Sequence, residues 1–160
     1  MPEISATQVE KYLRRTNEIA ARTMQFGKHP FGCLLLAPDN ETILLEQGNI
    51  DQVDHAEAVL ARLAHRNFSP EYLWGCSVIT SVEPCCMCSG TIYWANIGQV
   101  IYGISEKELL AITGNQKENP TLSVPCKYVF EHGQKAVRVI GPVASVQEEI
   151  SALHKSFWVN

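Results

Sequence analysis

The chain has 160 residues, 46% of them hydrophobic and 19% charged, with a formal net charge of −4. That length and composition suit one domain with an ordinary core, so residues 1–160 read as a single domain. No block of Lys and Arg offers the clustered cations that phosphate backbones demand, and no run of about 18 apolar residues offers a membrane span, so neither nucleic acid nor membrane is an expected partner. Met1-Pro2-Glu3 leads into a polar helix rather than an apolar leader, which predicts a cytoplasmic setting with its six cysteines reduced.

Ser5-Ala6-Thr7-Gln8 has the form of a capping box, and Val9, Tyr12, Leu13, Ile19, Ala20 and Met24 follow at helical spacing, predicting a first helix that ends near Gly27. Phe31–Ala37 is an apolar run between Pro30 and Pro38, a buried strand. Pro38-Asp39-Asn40 is a turn, and Thr42–Gln47 returns as the second arm of a hairpin. Residues 48–54 form a loop. His55–Asn67 carries Ala56, Val59, Leu60 and Leu63 on one stripe and reads as an amphipathic helix. Cys76–Ser81 reads as a strand, Cys85–Asn96 as a helix and Gln99–Gly103 as a strand. Thr113–Pro125, rich in Asn, Gln, Pro and Thr, is a loop. Lys127–His132 is a short helix and Ala136–Ile140 alternates like a strand. Ser145-Val146-Gln147-Glu148 has the form of a second capping box, opening a final helix marked by Val146, Ile150, Leu153 and Phe157. This order predicts an α/β layered domain with a mixed sheet, because a hairpin opens it.

Two short motifs carry the chemistry: His55-Ala56-Glu57, and, after residues 58–83, Pro84-Cys85-Cys86-Met87-Cys88. His55, Cys85 and Cys88 make three ligands for zinc. Three protein ligands leave a fourth position open, which is the arrangement of catalytic rather than structural sites. The Cys85-x-x-Cys88 spacing sets two sulfurs on one face of a helical turn. Pro84 suits the first turn, where its missing N–H costs nothing, and a helix N-terminus favours thiolate over thiol. Zinc lowers the pKa of a bound water to about 7, and Glu57, two residues from a ligand, is placed to take that proton and pass it on. H-x-E followed by P-C-x-x-C is the signature of zinc nucleobase deaminases. A structural zinc site would need a fourth ligand from Cys33, Cys76, Cys126 or His29, none of which stands at paired spacing. Cys33 and Cys76 read as small core residues, Cys86 as a bystander pointing off the metal, and Cys126 as a loop thiol. His65, His132 and His154 read as surface or helix-face residues; His29 lies near the expected pocket mouth.

With these residues in place the chain resembles the cytidine-deaminase-like zinc hydrolases, in the branch of guanine deaminases and tRNA adenosine deaminases. The likeness runs through Pro30-Phe31-Gly32, Asn49, His55-Ala56-Glu57, Pro84-Cys85-Cys86-Met87-Cys88 and Ile92-Tyr93-Trp94-Ala95, and thins after about Gly103. It implies a three-layer α/β/α fold around a mixed five-stranded sheet, a zinc cofactor and a homodimer. It also implies that Asn49 hydrogen-bonds the base, Phe31 lines the ring pocket, Ala56 offers a backbone group and Trp94 touches the base or closes the site. Phe157 and Trp158 either cross to a partner subunit or dock on their own core. Guanine deaminases carry an acidic pair after the fourth strand; here Asn115 and Gln116 stand there, with Glu118 nearby. The expected activity is hydrolytic deamination of a free nucleobase, nucleoside or related amino-heterocycle. The alternatives are a tRNA adenosine deaminase, a cytosine- or cytidine-type deaminase, and a structural zinc module. Val143–Asn160 carries Glu148 and Glu149 against Lys155, a poor surface for tRNA.

Overall fold

The computed structural model describes residues 2–158. Its first helix, α1 (Ala6–Gln25), opens with the predicted capping box: Gln8 N–H donates to Ser5 Oγ at 3.2 Å and Ser5 N–H donates to Gln8 Oε1 at 3.0 Å. The hairpin follows as β1 (Gly32–Leu36) and β2 (Ile43–Gly48). Then come α2 (Ala56–Asn67), α3 (Pro70–Trp74), β3 (Ser77–Val82), α4 (Cys86–Trp94) and β4 (Gln99–Ile104). The chain continues through α5 (Glu106–Thr113), α6 (Cys126–Glu131), β5 (Arg138–Ile140) and α7 (Ala144–Trp158).

The five strands form one mixed sheet in the order β2-β1-β3-β4-β5. Strand β1 runs antiparallel to both β2 and β3, and β3, β4 and β5 run parallel. Every residue of β1, β3 and β4 is buried, as expected of strands covered on both faces. On one face Cys33, Leu35, Val78 and Val100 pack against Ala61 of α2, Ile92 of α4 and Phe130 of α6. On the other, Leu34, Leu36, Ile79 and Ile101 meet Leu13 of α1, Leu109 of α5 and Ile150 of α7. Helices α1 and α7 thus share a face, and α2 and α4 share the opposite one. Gly32 lets α1 lie against the start of β1, because a Cβ there would strike the Thr16 carbonyl and the Ala20 amide. No helix among the described residues is long and apolar enough to cross a membrane.

Several expectations are corrected. Helices α3 and α5 were not foreseen, although each has a Ser N-cap: Tyr72 N–H donates to Ser69 Oγ and Glu108 N–H to Ser105 Oγ. Helix α7 begins at Ala144, so Ser145 lies inside its first turn rather than at the cap. Cys126 is the buried first residue of α6 rather than a loop thiol. Pro84 stands before the N-cap Cys85, outside α4 rather than in its first turn. His154 does lie on a helix face, that of α7, but it is fully buried rather than on the surface.

Candidate active site

Parallel strands deliver their following loops to one edge of a sheet, and a crevice forms there. Here the carboxyl ends of β3 and β4 lead into Glu83-Pro84-Cys85 and Ser105-Glu106. The antiparallel β1 begins at this same edge, since Cys33 pairs with Thr80, and Asn49 follows the end of β2. Between these segments lies a cavity of about 420 Å³. Its walls include His29, Phe31, Asn49, His55, Glu57 and Cys85.

His55 and Cys85 are the N-caps of α2 and α4, so both motifs sit at helix starts. The loop before His55 is shaped by the Asp51 carboxylate, which accepts from the N–H groups of Val53 and Asp54 at 2.8 and 2.7 Å. That turn sets the Gln52 carbonyl 2.9 Å from His55 Nε2. A carbonyl can only accept, so Nε2 carries the hydrogen and Nδ1 faces the sulfurs. His55 Nδ1 lies 3.6 Å from Cys85 Sγ, and the ligand atoms of His55, Cys85 and Cys88 all lie within 4.8 Å of one another. Tetrahedral zinc with N and S ligands at their usual lengths requires an N···S separation of about 3.6 Å, so this set fits zinc. The Cys85 thiol is pulled down to about 4, first by a hydrogen bond from Cys88 and then by His55, against the opposing effect of burial. The Cys88 thiol is pushed up by that same shared hydrogen bond and by burial. The shared hydrogen bond favours the thiolate at Cys85, and binding a metal would release the remaining thiol protons. Cys86 is half-buried and outside this trio.

Glu57 is the second residue of α2, buried, with its carboxyl held above the ordinary carboxylate range by loss of solvent. Thr80 Oγ1 donates to Glu57 Oε1 at 2.6 Å and lies 3.1 Å from the Val82 carbonyl. Asn49 is buried, and its Nδ2 donates to the Asp51 carbonyl at 3.1 Å, which leaves Oδ1 for the cavity. Phe31 forms an apolar wall backed by His154 and Trp158, with ring centroids at 5.1 and 6.5 Å.

The structure does not bring every expected residue to this cavity. Trp94 is 77% exposed and borders a separate groove between α2 and α4 with Arg62, His65 and Met87, so within one chain it cannot touch a ring bound near Glu57. The Ala56 side chain is buried in the core beneath α2, and what it offers is a backbone group in the helix's first turn. Asn115 and Gln116 are absent from the cavity walls; Gln116 Nε2 instead donates to the Trp158 carbonyl. Trp158 docks on its own chain, donating from Nε1 to His154 Nδ1 at 3.0 Å and packing edge-on to His29.

Sequence reasoning missed Thr80, Glu83, Glu106 and the wall formed by residues 118–122. Glu83 is buried and accepts two backbone donors, Glu106 N–H on Oε1 at 3.0 Å and Cys126 N–H on Oε2 at 2.9 Å. Its adjacency to Pro84-Cys85 was the available signal.

An open-sided His-Cys-Cys set beside a buried carboxylate, at the carboxyl edge of a layered sheet, defines a metal-dependent hydrolase. Residues 6–104 match the zinc-binding region of the cytidine and deoxycytidylate deaminases, and the chain belongs to that family. Like other members, it is an enzyme that hydrolyses C–N bonds. A probable cytosine deaminase of Schizosaccharomyces pombe is 31% identical over 151 residues, covering 92% of this chain and 90% of that protein. The guanine deaminase of Bacillus subtilis is 35% identical over 98 residues, covering 58% of this chain and 62% of its own length. The structure of the guanine deaminase from Nitrosomonas europaea shares the fold, with a TM-score of 0.74 at 15% identity over 99% of this chain and 88% of that one.

Proposed function

We propose that this protein deaminates a free nucleobase or a closely related amino-heterocycle, adding water and releasing ammonia. The observation that carries this reading is the roof over the cavity. Residues 118–122 form one wall, tied to the opposite rim where Gln52 Nε2 donates to the Glu118 carbonyl at 3.2 Å. The Glu118 carboxylate stands 3.7 Å from His29 Nε2, and His29 is packed on Phe157 and Trp158. The space beneath suits one small heterocycle. The S. pombe relative and both guanine deaminases bear names of enzymes that act on free bases.

His55, Cys85 and Cys88 would hold zinc, which when bound supplies the Lewis acidity that makes water a usable nucleophile near pH 7. Glu57 then moves the protons. As a carboxylate it accepts one from the water, and as a neutral acid it returns one to the ring nitrogen or to the departing amine. Thr80 serves both states: its hydroxyl donates to the ionised carboxylate, and it can turn to the Val82 carbonyl while accepting from the protonated acid. Phe31 packs on the ring, Asn49 Oδ1 accepts a donor on its edge, and the Ala56 backbone supplies a polar group beside it. We also propose a homodimer through the α2/α4 groove, where Trp94 is otherwise left in solvent. Trp94→Glu should then lower the mass seen by light scattering without lowering zinc content.

The test is ammonia release from zinc-loaded protein against guanine, adenine, cytosine, their nucleosides and aminotriazines. Glu57→Gln should keep its zinc and lose at least ~10²-fold in turnover. Silence across the panel with zinc bound would overturn the reading and direct the search to unstacked bases in tRNA.

A further inference from the structure

The cavity contains an acid that the chemistry above does not use. Glu106 opens α5 and is 7% exposed, yet its carboxyl makes no hydrogen bond among the described residues, although it lines the cavity. Among the described residues the unpaired side-chain polar atoms sealed from solvent are Asn17 Oδ1, Ser151 Oγ and His154 Nε2, so the Glu106 oxygens keep access to the cavity, where water or a ligand can pair them. The ionisable groups that act on it are Cys85, Glu57 and Glu83, all acids like itself. Burial first, and these neighbours second, push the carboxyl up to about 9. The position is nonetheless anchored, because Glu83 grips the Glu106 backbone N–H and ties it to the start of α6. A side chain destabilised by its surroundings but held in place by a second acid is typical of functional sites.

Asn49 and Glu106 flank the cavity from opposite sides. Asn49 follows β2, Glu106 stands just beyond β4, and β1 and β3 lie between those strands in the sheet. Both residues line the cavity. The position after the fourth strand where acids were sought holds Asn115 and Gln116; the acid is supplied instead at the start of α5.

We infer that Glu106 is a specificity-determining residue that receives a hydrogen bond from a donor on the substrate, either an N–H of the ring edge or a hydroxyl of an attached sugar. This rests on the deaminase reading and adds that the preferred substrate presents donors on an edge other than the one attacked. Such a site discriminates strongly, because an analogue lacking the donor leaves a buried acceptor unpaired.

The experiment measures kcat and KM of wild type, Glu106→Gln and Glu106→Ala, all zinc-loaded, on free bases and their nucleosides. The base pairs are chosen to differ by one donor, as 2,6-diaminopurine differs from adenine. Glu106→Ala should lose about 10–100-fold in kcat/KM on the best substrate and narrow the preference for the donor-bearing ring. Its zinc content should be unchanged and its melting temperature equal or higher, since a costly buried acid has gone. Loss on free bases assigns the donor to the ring; loss confined to nucleosides assigns it to the sugar. Unchanged kcat/KM and ring ranking in both variants, within about twofold, would overturn the inference while leaving deamination standing. So would a loss of activity that tracks a loss of zinc or of folded protein. If wild type turned over none of these compounds, the deaminase reading itself would fail. Glu106 would then be judged by calorimetric binding of the same bases, where equal affinity in wild type and Glu106→Ala would overturn it.

Discussion

Thr80 shows how much of this site depends on single polar residues in apolar surroundings. Removing its hydroxyl takes a donor from ionised Glu57 and favours the protonated acid, so the pH at which Glu57 becomes a competent base must rise. Thr80→Val is expected to keep zinc, lose about tenfold or more in kcat, and shift the acid limb of the pH–rate profile upward, with Thr80→Ser restoring most of the loss. A zinc-loaded Thr80→Val with an unshifted profile would remove Thr80 from the proton path. His154 makes a different kind of contribution. Burial holds it down at about 4, against an ordinary 6.5, so above pH 6.5 it is neutral in both folded and unfolded chains. As the pH falls below 6.5 the unfolded chain gains a proton that the folded one refuses. Stability is therefore lost between pH 6.5 and 4, by about 3 kcal/mol for a shift of that size. Denaturant titrations should show a steeper loss over that window in wild type than in His154→Leu; equal slopes would contradict the assignment.

At the scale of elements, Glu83 matters more than its neighbours in sequence suggest. One carboxylate fastens the first residues of α5 and α6, the two helices that bracket the roof-bearing loop. Glu83→Ala is expected to cost about 2–3 kcal/mol, because two buried N–H groups lose their acceptor. Glu83→Gln should recover part of that, since it keeps one acceptor but turns an amide donor toward the other N–H. Both are readable by thermal melts, with the helix starts losing hydrogen-exchange protection first. The elements also show what a sequence can and cannot disclose. His55, Glu57, Cys85 and Cys88 were legible because two helix starts put metal chemistry into contiguous motifs. The hairpin, α1, α2 and the central strands were legible from periodicity and Pro boundaries. Thr80 carries no local mark: its meaning comes from the β1–β3 register, which brings it to Gly32 and Glu57 across the sheet. Helix α5 did announce itself, through Ser105 three residues before Glu108, but the Asn- and Pro-rich stretch that follows obscured it. His154 was misplaced because its helix has two buried sides, one against the sheet and one against the aromatic cluster with Phe31 and Trp158.

For the molecule as a whole, the sheet decides where the chemistry lies, and the charges gathered at its edge decide what can reach it. Among the described residues the cavity walls hold Glu57, Glu83, Glu106 and Glu118 and not one Lys or Arg. Such a lining is expected to disfavour anionic metabolites. A neutral ring enters without electrostatic cost, whereas a 5′-monophosphate brings about two negative charges into a poorly solvated space whose walls offer no Lys or Arg beyond the metal site. Nucleoside monophosphates at millimolar concentration should therefore neither be turned over nor compete with a base that is, even though they carry the same heterocycle. If the substrate is a free base, as proposed, the same walls that admit the ring would turn away its nucleotide, so selection by phosphorylation state would need no residue dedicated to it.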